Sequence, residues 1–239
     1  VVNNFSNDTS GNNNHFSFAN ILLNNLTNDT PSNNYAILNP LSNTDGTASV
    51  NFLNGNRTIE IGSGGALIKS SFAKNSGKWY WEAKGSDLTN GTVGGRFGIV
   101  DTESYIVEDE NFAIWLHATS GLYKTINGTI SQIESNLSFA DGDVLACSLD
   151  LDSNIIAFYK NNTLIYSYTF TADSEVGSKM ITPYTFNGSS GTPKWTYNFG
   201  QVSFKYTPPV GFKELNSKDS EEPGISNANG DLPENYFNT

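Results

Sequence analysis

Residues Asp141 to Asn162, DGDVLACSLDLDSNIIAFYKNN, contain two short apolar runs bounded by turn-forming residues. Aliphatic and aromatic side chains dominate VLACSLDL and IIAFYK, and β-branched and aromatic residues favour strands. Asp152-Ser153-Asn154 separates the runs and Asn161-Asn162 follows the second, and these residue types form tight turns. The stretch therefore predicts a β-hairpin. Cys147, inside the first run, is predicted to be a buried small hydrophobic side chain.

The same alternation of short runs and turns extends over most of the chain. Asn54-Gly55, between ASVNFL and RTIEIG, is a strong hairpin signal. No run has a convincing helical period. Regularly spaced short strands separated by turns are typical of an all-β sandwich or barrel. The further runs are GALIKSSF, KWYWEAKGS, RFGIVD, NFAIWLH, GLYKTI, LIYSYTF, MITPYTF and KWTYNFG.

Composition excludes several classes of function. The 239 residues include 13 Lys and Arg against 24 Asp and Glu, a net charge of −11. Nucleic-acid binding requires clustered basic residues, so no nucleic-acid partner is expected. No stretch is apolar and long enough for membrane insertion. The single cysteine excludes a disulfide framework or a cysteine metal site. The first residue, Val1, is not Met, which suggests a processed product or a fragment.

The chain divides into three predicted parts. Residues 1–47 are rich in Asn, Ser and Thr, yet Phe16, Phe18, Leu22 and Leu23 are spaced through them. We expect an extended arm that packs on the domain or on a neighbour. Residues 48–216 carry the strand pattern. Residues 217–239 are acidic and rich in Pro, Gly and Asn, which predicts a loose tail or linker.

No catalytic set is evident, so a non-enzyme is predicted. The only histidines are His15 and His117, and neither HExxH nor GxSxG occurs. A glycanase on a concanavalin-like sandwich would require two carboxyl groups facing across a cleft. The paired carboxylates Asp141/Asp143 and Asp150/Asp152 are better interpreted as turn residues. The glycanase remains the least favoured alternative.

A calcium site would use Asp150, Asp152 and Asn154, because calcium prefers oxygen ligands. The glycine and distal glutamate of a calcium-binding loop are missing here. Neither a metal nor a cofactor is therefore predicted.

Several segments together resemble the SPRY domain family over residues 48–216: SGKWYWEAK, GRFGIVD, the hairpin quoted above, ITPYTF and KWTYNFGQVSFKYTPPVGFKELN. The resemblance implies an antiparallel two-sheet sandwich of the concanavalin-like jelly-roll type, with the N-terminal arm against it. It also implies a binding module.

Two segments resemble SPRY-type segments of bacteriophage tail-fibre and other virion proteins: TPSNNYAILNPL before the domain and TPPVGFKELN at its end. This implies an extracellular virion location, a host-surface glycan or protein as ligand, other virion proteins as partners, and a homo-oligomer. The alternative is a structural or decoration protein that mediates subunit packing in a capsid or appendage.

Binding residues on β-scaffolds usually lie in loops held by rigid strands. Tyr, Asn, Ser and Gly are typical of adaptable recognition loops. The candidate binding residues are Asp101, Glu103, Tyr105, His117, Tyr123, Phe186 and Asn187.

The aromatic strand GKWYWE raises a separate question. Alternation places Trp79 and Trp81 on one face and Tyr80 and Glu82 on the other. We expect one pair to face the core and the other to lie under the N-terminal arm.

Overall fold

The structure is a computed structural model that describes residues 8, 10–15, 29–30, 33–43, 48–62, 64–88, 95–104, 111–171, 180–188 and 192–218. This part of the chain contains one short 3-10 helix, Pro40–Ser42, and no α-helix. Within the same ranges, no helix has the length and apolar character needed to cross a bilayer. The strands are β1 (Val50–Leu53), β2 (Thr58–Ile61), β3 (Ala66–Lys69), β4 (Lys78–Ser86), β5 (Arg96–Asp101), β6 (Phe112–His117), β7 (Gly121–Ile126), β8 (Thr129–Glu134), β9 (Val144–Asp150), β10 (Ile155–Lys160), β11 (Thr163–Thr169), β12 (Ile181–Asn187), β13 (Lys194–Asn198) and β14 (Lys213–Glu214).

The strands form two sheets, and the predicted antiparallel sandwich is confirmed. The eight-stranded sheet has the order β1-β2-β13-β4-β9-β10-β11, with β14 added beside β4. The six-stranded sheet has the order β3-β12-β5-β6-β7-β8. Among these strands only β14 pairs in parallel. The hairpin of residues 141–162 forms β9 and β10, which pair from Asp150 opposite Ile155.

The core lies between the inner faces of the two sheets. Alternation along each strand decides which side chains enter it. Trp81, Trp195, Phe97 and Phe158 are fully buried there, together with Cys147. The rings of Phe97 and Trp195 stack 6.2 Å apart and link the two sheets. Large aromatic side chains therefore supply much of the apolar area that stabilises the sandwich.

The strand GKWYWE has its tryptophans in the core, and its other face is covered by the C-terminal side of the chain. Residues 203–212 form a C-terminal strap across the eight-stranded sheet. The Tyr80 ring meets Phe204 edge-on at 4.9 Å. The Glu82 carboxylate accepts hydrogen bonds from the backbone amides of Lys205 and Tyr206, both at 2.8 Å. Among the described residues, Tyr80 is covered by this strap and not by the expected N-terminal arm, because the chain crosses this face after β13.

The described end of the N-terminal arm pairs with the end of the domain. The Ala36 amide donates to the Leu215 carbonyl at 2.9 Å, and the Ser217 amide donates to the Asn34 carbonyl at 2.8 Å. Tyr35 and Asn216 form the bridge between these two bonds. We call residues 34–36 and 215–217 the flank ribbon. The two chain extensions therefore leave the sandwich side by side.

The flank ribbon defines a tether end of the sandwich. The strand before it, β14, pairs with Trp79 and Tyr80 at the beginning of β4. Lys74, just before β4, donates from Nζ to the Asn216 carbonyl at 3.3 Å. Lys74 also forms a bridge with Ile181, the first residue of β12. The starts of β4 and β12 and the flank ribbon therefore lie together.

The opposite end of the sandwich is the distal end. The Ala118 amide, just after β6, donates to the Gly95 carbonyl, just before β5, at 3.2 Å. The Phe139 amide donates to Ala118, and the Gly142 amide donates to Gly85 near the end of β4. The end of β4, the start of β5 and the end of β6 therefore meet here, one strand length away from the flank ribbon.

Candidate binding surface at the distal end

The predicted binding residues divide between the two ends of the sandwich. Asp101 is the last residue of β5 and Glu103 follows it; both lie at the tether end, because Asp101 pairs with Ile181. His117 and Phe186 lie at the distal end, where both are register partners of Arg96. Tyr105 lies outside the described residues.

Asp101 shapes a loop at the tether end. The residue is fully buried. Its Oδ1 accepts from the amides of Glu103 and Ser104 at 2.8 and 2.7 Å, and its Oδ2 accepts from the Phe112 amide at 2.9 Å. These bonds fix the turn that follows β5, so Asp101 can affect a ligand only indirectly. Glu103, beside it, is exposed.

Arg96 organises the outer face of the six-stranded sheet at the distal end. Its guanidinium carbon lies 4.5 Å from the ring centre of Trp115 and 4.6 Å from that of Phe186. Cation–π contacts of this kind are favourable, and more so when they are shielded from water. All three side chains are buried. Strand alternation in RFGIVD and FAIWLH could have indicated Arg96 and Trp115, because each points away from the core residues that flank it.

Tyr123 extends this arrangement towards solvent. Its ring stacks on Trp115 at 5.8 Å with an interplanar angle of 12°. Its hydroxyl accepts a hydrogen bond from Nε2 of the exposed Gln132 at 3.0 Å. We call Phe186, Arg96, Trp115 and Tyr123 the aromatic stack. Its buried members hold the half-exposed Tyr123 ring rigidly, which suits an anchor for recognition.

His117 lies beside the aromatic stack. Its ring meets Tyr123 edge-on at 6.3 Å, and its Nδ1 accepts from the Thr119 amide at 3.2 Å. Burial, and secondarily the positive charge of Arg96, lower the pKa of His117 below its ordinary value. The imidazole is therefore neutral at neutral pH.

Asn187 does not belong to this surface. It follows Phe186 on β12 and therefore points to the opposite face of the sheet. Its side chain is buried, and within the described residues its Nδ2 has no hydrogen-bond partner.

The paired carboxylates are occupied in turns. Asp150 Oδ1 accepts from the amides of Asp152 and Ser153 at 3.1 and 3.0 Å, while Oδ2 lies 2.8 Å from Lys78 Nζ. Asp152 Oδ1 accepts from the Gly77 amide at 2.8 Å. The part of the chain that the structure describes contains no group of three or more His, Cys, Asp or Glu side chains that could hold a metal.

A model of the SPRY domain family matches residues 78–202, slightly more than half of the chain. The chain is a member of the SPRY domain family. SPRY domains are protein-binding modules. The match begins at β4 and continues past β13, so it includes the aromatic stack.

The fold is also similar to that of a solved SPRY domain. The SPRY domain of human HERC1 superposes with a TM-score of 0.52 at 22% sequence identity, over 70% of this chain and 99% of that one. The TRIM65 PSpry domain has a TM-score of 0.49 at 14% identity, over 69% and 90%. Stonustoxin has a TM-score of 0.49 at 12% identity, over 69% and 27%. A search of curated protein sequences found no significant match.

Proposed function

We propose that this SPRY domain is a non-catalytic binding module of a virion that recognises a glycan or a protein on the host surface. The placement of the aromatic stack supports this proposal most directly. The stack lies at the distal end, whereas the flank ribbon lies at the tether end. A domain held at its tether end presents the distal end to its surroundings.

The extracellular virion setting is supported by the two phage-like segments. Residues 30–41 contain the arm side of the flank ribbon, and residues 207–216 contain part of the strap and the domain side of the ribbon. The two segments that resemble tail-fibre and other virion proteins therefore lie at the tether end, where we propose that the domain is attached to the rest of the virion. Other virion proteins are the partners expected at that end.

A structural role in a homo-oligomer is the second candidate. β8 and β11 are the last strands of their sheets. Each exposes an apolar side chain: 40% of Ile130 and 54% of Leu164 are accessible to solvent. Edge strands with exposed apolar residues can pair with a neighbouring copy. This observation favours subunit packing through the edges of the sheets.

The test is retention of the purified protein by cell-envelope fractions from a panel of bacterial hosts. We expect Tyr123→Ala to weaken retention about fivefold or more, since a well-packed anchor ring is worth about 1 kcal/mol or more. Tyr123→Phe keeps the ring and is the matched control. The retained ligand is then analysed for cleavage products.

Two results would contradict the binding role. Shortened glycan products would indicate an enzyme. No retention by any fraction, together with self-association that Leu164→Ser abolishes, would favour the structural role instead.

A further inference from the structure

A second feature of the distal end is a groove on the outer face of the eight-stranded sheet. It lies between the start of β1, the end of β2 and the start of β13, next to Asp87, which follows β4. Its volume is about 480 Å³. Sites for small ligands typically measure about 300–1,000 Å³. The groove is therefore large enough to hold a small ligand.

Three polar side chains form a row along the floor of the groove. Glu60 is the register partner of both Asn51 and Lys194, so the three lie side by side on β1, β2 and β13. Neighbouring strands are about 4.8 Å apart, which is comparable with the width of a sugar ring. Lys194 Nζ lies 2.7 Å from Glu60 Oε1, and Asn51 Nδ2 lies 3.4 Å from Glu60 Oε2. The row is thus arranged by its own hydrogen bonds.

The row is accessible to a ligand. The side chains of Glu60 and Lys194 are each 43% exposed. A carboxylate offers several acceptor sites, so Glu60 can accept further hydrogen bonds beyond those from its two neighbours. Lys194 has three donors and uses one of them on Glu60. Hydrogen bonds that involve charged groups are about twice as strong as neutral ones.

The alternation of donor, acceptor and donor suits hydroxyl groups. A hydroxyl both donates and accepts, so vicinal hydroxyls can bind Glu60 and a neighbouring donor at the same time. Thr192, which also lines the groove, adds a hydroxyl group. Saccharides carry several neighbouring hydroxyls and therefore match this alternation of donors and an acceptor.

The charge of the groove determines whether neutral or anionic saccharides can bind there. Glu60 and Asp87 outnumber Lys194 within it, and the whole chain has a net charge of −11. The resulting negative field repels anionic ligands. We propose that this groove is a subsite for a neutral saccharide, held by Asn51, Glu60 and Lys194. The inference rests on the proposed function, since it names the ligand class that the distal end recognises.

The test is calorimetric titration of the full chain with neutral oligosaccharides of hexoses and N-acetylhexosamines, and with sialylated and uronic-acid oligosaccharides. We expect only the neutral ligands to bind. Asn51→Ala and Lys194→Met should each weaken binding about tenfold, because each removes a hydrogen bond that involves the ligand. Lys84→Met is the matched control, since Lys84 is exposed on β4 outside the groove. Its affinity should equal that of the unmodified protein.

The proposal would be overturned by tighter binding of the anionic oligosaccharides or by unchanged affinity in both groove variants. Its failure can be told apart from failure of the proposed function. Envelope retention that depends on Tyr123, without binding of any neutral saccharide, would contradict the groove alone. Saccharide binding without envelope retention would contradict the host-recognition role alone.

Discussion

His117 illustrates how the aromatic stack sets the chemistry of one residue. The imidazole is buried, faces Tyr123 and lies near the positive charge of Arg96. Protonation would place two positive charges close together in a poorly solvated site. The pKa of His117 is therefore lower in the folded chain than in the unfolded chain, where it is near 6.5.

The stability of the protein should consequently depend on His117 in mildly acidic solution. Below about pH 6.5 the unfolded chain takes up a proton that the folded chain resists, so stability falls as the pH falls towards the lowered pKa. His117→Gln removes this term. We expect thermal unfolding between pH 7.5 and 5.5 to show a smaller loss of stability in the variant. Parallel losses in both proteins would show that His117 does not titrate in this way.

Sequence reasoning located residues whose contacts are close in the sequence. It did not locate residues whose contacts come from distant segments. The hairpin of β9 and β10 was predictable because its strands are adjacent in the sequence and their turn residues are diagnostic. Alternation could have marked Arg96 as outward-facing, but its position between Trp115 and Phe186 was not predictable, because it depends on pairing with β6 and with the distant β12. For the same reason, alternation in GKWYWE could not indicate which segment covers Tyr80.

Among the elements, the C-terminal strap depends on a single buried carboxylate. Glu82 accepts from two backbone amides of the strap and from the Tyr80 hydroxyl at 3.1 Å. It therefore satisfies one buried donor, the Tyr80 hydroxyl, and two partly buried backbone donors of the strap. The strap is fixed to the sheet by this one side chain as much as by the Phe204 ring.

Glu82→Gln should destabilise the fold by about 2 kcal/mol, because the amide of glutamine places its own donors against those of the strap. Urea unfolding monitored by tryptophan fluorescence measures the change. Glu103→Gln, which alters an exposed carboxylate, is the control and should have little effect. Equal stability of the two variants would show that the strap is held by its other contacts.

Strand β9 offers an independent measure of core packing through Cys147. The side chain is fully buried, and burial raises the pKa of its thiol well above the ordinary value. The thiolate is the reactive form. We expect a thiol reagent to label native protein slowly and unfolded protein rapidly. Rapid labelling without denaturant would contradict the placement of β9 in the core.

At the scale of the whole molecule, the described arm residues 33–43 and the sandwich form one folded unit. Ala36 and Leu38 are fully buried in the core, and Tyr35 is largely buried beside Gly200. Phe16, Phe18, Leu22 and Leu23 lie outside the described residues, so their predicted packing stays a prediction.

Two truncations separate the stability contributed by the arm residues next to the sandwich from that contributed by the earlier arm residues. Removal of residues 1–38 should cost about 3 kcal/mol or more, because it deletes Leu38 from the core and leaves a cavity. Removal of residues 1–28 leaves the flank ribbon intact, including the bond from the Tyr35 amide to Asp29 Oδ1, and is the matched control. Denaturant unfolding compares the two proteins. Equal stability would mean that the arm residues near the sandwich add nothing to it.

The flank ribbon also decides how the domain responds to mechanical load. Tension applied through both chain extensions acts on neighbouring ends of two antiparallel segments, so it peels the Ser217–Asn34 and Ala36–Leu215 bonds one after another. The sandwich itself lies off the load path while these bonds open. Single-molecule pulling should therefore record a short extension at low force before a larger rupture. A domain attached in this way yields first at its anchorage, and its distal end keeps its shape under strain.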